Sequence, residues 1–167
     1  GGRDDTVERA HLARYNFAKP YCAGKRVADI ASGTGYGMKI LAAVARSVEG
    51  YDRERLGQRY VIDLEKQDWP ENYDVIVSFE TIEHLANPDF FLANAARSAP
   101  LLILSTPTGE RPGANPFHKQ AWSAAEVKAL LESRYLCEYR CQTDQVIGPD
   151  QETCPTLVAI CNVIPGP

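Results

Sequence analysis

The chain has no run of lysine and arginine, no apolar stretch of bilayer-spanning length, and no charged-then-apolar leader at its start. Its 18 basic residues are outnumbered by 22 acidic ones, for a net charge of −4 and a pI near 5.4. That balance offers no electrostatic footprint for duplex nucleic acid, and membrane insertion is not expected. Internal repeats, low-complexity tracts and linkers are also absent, so residues 1–167 read as a single domain. Cysteines are few and scattered: Cys22, Cys137, Cys141, Cys154 and Cys161 include no C-x-x-C pair. Reduced thiols and a cytoplasmic location are the expectation.

What is present is alternation of apolar strands and amphipathic helices. Residues 5–19 suit a helix capped by Asp5 or Thr6, with Val7, Ala10, Arg14 and Tyr15 on one face and Pro20 ending it. Short apolar strands are expected at 26–30, 47–51, 60–64, 73–79 and 101–105, with a helix over 36–46. Asn87-Pro88 opens another helix, with Asn as cap and Pro in the first helical position. Ser123-Ala124-Ala125-Glu126 is a capping box for one running through Ser133. Two β-like segments, 137–146 and 157–163, close the chain. The pattern predicts an α/β fold: a Rossmann-like, doubly wound, mostly parallel sheet with helices on both faces.

The glycine-rich turn Gly33-Thr34-Gly35-Tyr36-Gly37 follows the first strand, and Asp52 ends the second. Glycines allow close backbone approach, and a carboxylate at that place can accept from both ribose hydroxyls. The turn is one residue tighter than the G-x-G-x-x-G of dinucleotide sites, and Asp29 just ahead of it would repel a pyrophosphate. An amino-acid tail on a nucleoside fits better: ribose on Asp52, the ammonium near Asp29, and a sulfonium that needs no counter-ion. S-adenosylmethionine is such a ligand. The same glycines would also serve a plain strand-to-helix turn; the placement of Asp52 favours the ligand.

Asp29-Ile30-Ala31-Ser32-Gly33-Thr34-Gly35-Tyr36-Gly37 resembles motif I of the class I S-adenosylmethionine-dependent methyltransferases. The resemblance continues through Asp52, through Asp63 after the third strand, and through Phe79-Glu80-Thr81-Ile82-Glu83-His84 after the fourth. It extends to Ser105-Thr106-Pro107 and Asn115-Pro116-Phe117-His118 and covers essentially the whole chain. It implies a seven-stranded sheet whose last strand is inserted antiparallel. It also implies cofactor contacts from Asp29, Ala31, Gly33, Gly35, Asp52, Asp63 and Phe79. Tyr15 is either a lid over the ligand, as aromatics there are in relatives, or a core tyrosine. One departure stands out. Only eight residues separate Asp52 from Val61, too few for an ordinary crossover helix, so that helix is expected to be missing or reduced to a turn.

His84 and His118 fall on the loops after the fourth and fifth strands, at the sheet edge where such folds bind ligands. With Glu80 and Glu83 they form a set suited to a divalent cation, Mg²⁺ or Mn²⁺. A similar E-x-x-E-H segment plus a later histidine binds such an ion in the small-RNA 2′-O-methyltransferases, which this segment resembles. Alternatively Glu83 and His84 only brace the loop, and His84 or His118 is the general base. Phe117 and Trp122 either wall the acceptor site or anchor the loop to the core. The expected function is methyl transfer from S-adenosylmethionine to a small-molecule, sugar or lipid-linked acceptor at oxygen. The alternatives are a small-RNA 2′-O-methyltransferase, against which the acidic pI counts, and a catalytically silent cofactor-binding subunit.

Overall fold

Val27, Ala28, Asp29 and Ile30 are all sealed from solvent, and so are all five residues of Val75–Phe79. Strands buried on both faces belong at the centre of a parallel sheet. In a computed structural model, which describes residues 5–55, 60–70 and 72–165, they take that place. β1 (Arg26–Ile30) pairs in parallel with β2 (Ser47–Asp52) on one side and β4 (Val75–Phe79) on the other. β3 (Tyr60–Val61) continues from β2, and β5 (Leu101–Pro107) from β4, both parallel. β8 (Thr156–Val163) then runs antiparallel between β5 and β6 (Tyr135–Thr143), and β7 (Val146–Pro149) closes the edge. The sheet order is β3-β2-β1-β4-β5-β8-β6-β7.

The antiparallel insertion of the last strand is as expected; the eighth strand is not. The single segment predicted over 137–146 begins earlier and turns back on itself at Asp144, whose φ is +51°, to give β6 and β7.

Alternation along the strands assigns the two faces. Val27, Val75, Val77 and Phe79 point to α1 (Asp5–Cys22) and α2 (Tyr36–Ala42), meeting Tyr15, Ala18, Cys22 and Leu41. Ala28, Ile30, Ile76 and Leu102 point to α3 (Pro88–Ser98) and α4 (Ala124–Glu132), meeting Phe91, Leu92, Val127 and Leu131. The Asn87 cap and the Ser123–Glu126 capping box both form.

Several boundaries differ from the sequence reading. α1 runs past Pro20 to Cys22, because one lost hydrogen bond in the last turn is offset by burying Cys22 completely. Val7 is exposed, and α1 is anchored instead by Arg14, Tyr15, Ala18 and Cys22. Of the two proposed caps, the Asp5 side chain lies outside the described residues. α2 ends at Ala42, four residues short of the expected 46. β3 holds two residues rather than five. Residues 56–59 of its short connection lie outside the described residues, yet β3 still pairs with β2 through Tyr51↔Tyr60 and Asp52↔Val61.

The expectation of five reduced thiols is overturned. Cys137 and Cys161 are register partners across β6 and β8, with Cα atoms 4.2 Å apart, and are disulfide-bonded. Cys141 and Cys154, 5.5 Å apart at Cα, form a second bridge, leaving Cys22 free and buried. Pairing across neighbouring strands depends on register and topology, which cysteine spacing does not show.

Candidate functional site

The sheet order reverses between β1 and β4, and a crevice opens at such a switch point beyond the carboxyl ends of the strands. Ala31 and Glu80 sit at those two ends, each in the left-handed region, with φ of +61° and +52°. Both are L-residues where glycine is favoured, and backbone strain of this kind gathers at functional sites. Two cavities meet at Ala31. The first, about 440 Å³, lies between α1 and the glycine turn and is walled by Tyr15, Tyr36, Phe79 and His11. The second, about 500 Å³, is lined by Asp52, Asp63, Glu65, Glu80 and His84, with Phe117 and Lys119 at its border.

The glycine turn and the acid converge. The Gly33 N–H donates to Asp52 Oδ2 at 2.8 Å, and Asp52 Oδ1 accepts from the Glu54 N–H at 3.3 Å. A carboxylate has about four lone-pair sites, so Asp52 keeps capacity toward the second cavity. Gly33 lines the first cavity. Gly35, at φ +79°, caps α2 and donates to the Ser32 carbonyl, shaping the turn from behind. Asp63 lines the second cavity beside Asp52, its carboxylate held by the Glu65 N–H and Lys66. Those contacts, the Glu65 N–H first, draw its pKa below the usual range.

Asp29 lies elsewhere than a direct ammonium contact would require. Alternation turns it to the α1 face, where it is fully buried, lines neither cavity, and holds the Tyr15 hydroxyl at 3.1 Å from both its oxygens. Burial raises its pKa to about 7. Tyr15 itself is 4% exposed and stands edge-on to Phe79 at 5.0 Å. It is both a core residue and a wall of the first cavity.

On the other side of the crevice, Ile82–His84 form a 3₁₀ turn that brings Glu83 and His84 together. The Lys119 and Gln120 N–H groups bind the Glu83 carbonyl and bring the loop after β5 alongside. The imidazoles of His84 and His118 meet edge-on at 4.7 Å. Ligand atoms of Glu83, His84 and His118 all lie within 4.8 Å of one another. Glu83 is 1% exposed, with Oε2 accepting from Thr106 and Oε1 without a partner. Burial, and then the nearby Glu80 carboxylate, raises its pKa to about 8.

Both histidines have Nδ1 against an oxygen: His84 against the Phe117 carbonyl at 2.9 Å, His118 against Glu110 Oε2 at 2.6 Å. Those acceptors assign the proton to Nδ1 and leave Nε2 as the basic atom. His84 Nε2 lies 3.8 Å from the orphaned Glu83 oxygen, while His118 Nε2 accepts from the Asn115 amide. Glu80 does not join this cluster. Its carboxylate accepts from Ser105 at 2.7 Å and lies 3.8 Å from Arg14. Trp122 packs on the core and anchors the loop, whereas Phe117 projects into solvent.

Three contributors escaped the sequence reading. Glu110 lies in a loop without periodicity, eight residues before the histidine it holds. Arg14, read only as a helix-face residue, is buried between Glu80 and Gln142. His11 lines the first cavity, its pKa lowered to about 4 by burial and by Arg14. His11 stands in the middle of α1, where nothing in the sequence marks it out.

Residues 7–142 match the protein family described as "Methyltransferase domain". A probable S-adenosylmethionine-dependent methyltransferase of Mycolicibacterium smegmatis is 31% identical over 146 residues, covering 75% of this chain and 57% of that protein. One from Mycobacterium tuberculosis is 31% identical over 144 residues, covering 74% and 53%. The chain thus spans about half the length of the curated relatives it matches. Among solved structures, a TehB-like S-adenosylmethionine-dependent methyltransferase from Corynebacterium glutamicum shares the fold at TM-score 0.74 and 17% identity, covering 91% of this chain and 88% of that one. The methyltransferase domain of a bacterial Hen1 does so at TM-score 0.69 and 18% identity, covering 95% and 100%. With a family match over most of its length, the chain belongs to the methyltransferase-domain family.

Proposed function

We propose that this domain transfers the methyl group of S-adenosylmethionine to an oxygen of a small-molecule, sugar or lipid-linked acceptor. The observation that carries the reading is the meeting of the Asp52 carboxylate with the Gly33 N–H at the join of the two cavities. Asp52 has lone pairs left for the two ribose hydroxyls, and Asp63 lies beside it for the base. The first cavity offers Tyr15, Tyr36 and Phe79 to an aliphatic sulfonium chain, and aromatic faces attract such a cation. Among the described residues no lysine or arginine lines that cavity, so it suits an amino-acid tail better than a pyrophosphate. In this proposal Asp29 supports the site through Tyr15 rather than by touching the ligand.

Glu83, His84 and His118 would hold a divalent cation. The residues fit one: a buried carboxylate oxygen without a partner faces an imidazole whose other nitrogen is already fixed. Two imidazoles and one carboxylate favour Mn²⁺ over Mg²⁺. Bound there, the cation would polarise an acceptor hydroxyl as a Lewis acid. The Phe117 carbonyl and Glu110 fix the two rings through Nδ1; His84 Nε2 is then open to a cation, whereas His118 Nε2 would first have to release the Asn115 amide. If turnover survives excess chelator, His84 Nε2 is left as the general base.

A second reading, transfer to the 2′-hydroxyl of a small RNA, is favoured by the same three-residue cluster. The carboxylates lining the second cavity weigh against a polyanion. The deciding experiment is calorimetric titration with S-adenosylhomocysteine, followed by radiolabelled methyl transfer to acceptor panels. One-to-one binding is expected; no binding ends the proposal, and binding without turnover on any panel supports a silent cofactor-binding subunit instead.

A further inference from the structure

Glu8, His11 and Tyr15 follow one another along α1 at intervals of three and four residues, which sets them in one column on the helix. All three line the first cavity, across from the glycine turn. The column grades in depth: Tyr15 is buried, His11 half-buried and Glu8 exposed. The Tyr15 hydroxyl is bonded to Asp29, and Ser32 on the facing wall reaches the Tyr51 carbonyl at 3.4 Å. Neither the His11 ring nor the Glu8 carboxylate has a hydrogen-bond or ion-pair partner among the described residues. A polar ring taken half out of water without a protein partner costs stability, and a bound group can supply the missing contact.

The direction of the cofactor sets which end meets this column. Gly33 lines the first cavity, and its N–H bonds Asp52, which lines the second. With the ribose on Asp52, the sulfur and the amino-acid tail run across that join into the first cavity. Such a tail ends in an ammonium and a carboxylate. Glu8 is the only acid among the described residues on that wall and offers the ammonium its counter-charge. The carboxylate meets no cation there. Arg14, one turn beyond His11, is buried, bonded to Gln142 and 3.8 Å from Glu80. Neutral donors must therefore hold the carboxylate, and the wall offers the His11 ring and the Thr34 hydroxyl. Burial and then Arg14 lower the His11 pKa to about 4, so at neutral pH its ring carries one N–H to give.

We infer that Glu8 and His11 of α1 form the subsite for the amino-acid end of the cofactor, Glu8 taking the ammonium and the His11 N–H donating to the carboxylate. The inference rests on the methyltransferase reading above and names the residues that tell the whole cofactor from its nucleoside half. It gives α1 a duty besides covering the sheet.

The test is calorimetric titration of the full chain with three ligands. S-adenosylhomocysteine carries both charges, its decarboxylated form keeps only the ammonium, and 5′-methylthioadenosine has neither. Wild type should bind S-adenosylhomocysteine at least about tenfold more tightly than 5′-methylthioadenosine. His11→Ala should weaken S-adenosylhomocysteine about 10- to 100-fold, the size of a hydrogen bond to a charged group, and leave the other two ligands unchanged. His11→Phe fills the same space without an N–H and should behave alike. Glu8→Gln should weaken both ammonium-bearing ligands about two- to fivefold, as suits an exposed ion pair, and spare 5′-methylthioadenosine. Normal binding of 5′-methylthioadenosine shows that a variant is folded. S-adenosylhomocysteine affinity indifferent to His11→Ala, or an equal loss for all three ligands in both His11 variants, overturns the inference. So does equal affinity of wild type for S-adenosylhomocysteine and 5′-methylthioadenosine, which leaves the nucleoside site standing. A wild-type chain that binds none of the three would instead sink the methyltransferase reading beneath it.

Discussion

A Cβ added to Gly37 would lie 2.0 Å from Cζ of Tyr15. The third glycine of the turn therefore serves to admit the tyrosine ring, a matter of space rather than backbone freedom. That ring joins four parts of the fold: it rises from α1, packs against Tyr36 of α2 and Phe79 of β4, and hydrogen-bonds Asp29 of β1. The wall of the first cavity is thus set by one close contact.

Gly37→Ala should destabilise the fold by about 1–3 kcal/mol, the usual cost of overpacking. Urea unfolding monitored by circular dichroism measures it. Combined with Tyr15→Ala, the loss should fall short of the sum of the two single losses by at least about 0.5 kcal/mol, as for residues in contact.

Asp52→Ala should weaken S-adenosylhomocysteine binding by about 1–3 kcal/mol through lost charge-assisted hydrogen bonds. Calorimetry on the purified variant checks this. An unchanged dissociation constant removes Asp52 from the nucleoside site and, with it, the observation on which the proposed function stands.

Asp29 makes stability depend on pH in a defined direction. Burial raises its pKa in the fold to about 7 from an ordinary value near 3.8, so the folded state holds a proton that the unfolded state has released. The stabilisation from this group is complete below about pH 4 and is lost as pH rises through 7. Asp29→Asn keeps an oxygen for the Tyr15 hydroxyl and abolishes the titration. Unfolding free energies at pH 5 and pH 8 should shift in favour of the variant as pH rises; a constant difference would show that Asp29 does not titrate in this range.

Glu110→Gln should lower Mn²⁺ affinity about 10- to 100-fold by releasing His118 from its fixed orientation. Titration of the protein with Mn²⁺, followed by electron paramagnetic resonance of the free ion, reads affinity without any turnover. Equal affinity in wild type and variant would mean His118 is not a ligand.

The cysteine pairing is open to direct count. Under denaturing, non-reducing conditions one thiol, Cys22, should react with a thiol reagent, and peptide mapping should recover the pairs Cys137–Cys161 and Cys141–Cys154. The sequence leads to the expectation of a cytoplasmic setting, where such bridges are rare. Five reactive thiols in rapidly alkylated cell extract would support that setting, and the two bridges intact would argue against it.

Much of the scaffold can be read directly from local chemistry. The strand–glycine turn–helix succession and the Asn87 and Ser123 caps are written in apolar periodicity and capping residues, whereas the antiparallel final strand is what the resemblance to the methyltransferases implies. The convergence of the glycine turn and Asp52 is legible too, since the carboxyl end of β2 must lie beside that of β1 once the two strands are parallel neighbours, but the Gly33 N–H bond to Asp52 is seen only in the fold. Burial of Cys22 past Pro20, the hairpin at Asp144 and the two-residue β3 follow from packing partners far away in the chain, so no local pattern announces them.

The site divides along the same line. The sequence by itself determined which residue types stand at the carboxyl ends of the strands, because motif order and strand order coincide there. Only the tertiary structure decided their duties: Asp29 turned under Tyr15, Glu80 drawn to Ser105 and Arg14, and Glu110 set behind His118. Strand alternation and the register between loops settle which way a side chain faces, and those are properties of the assembled sheet rather than of any single segment.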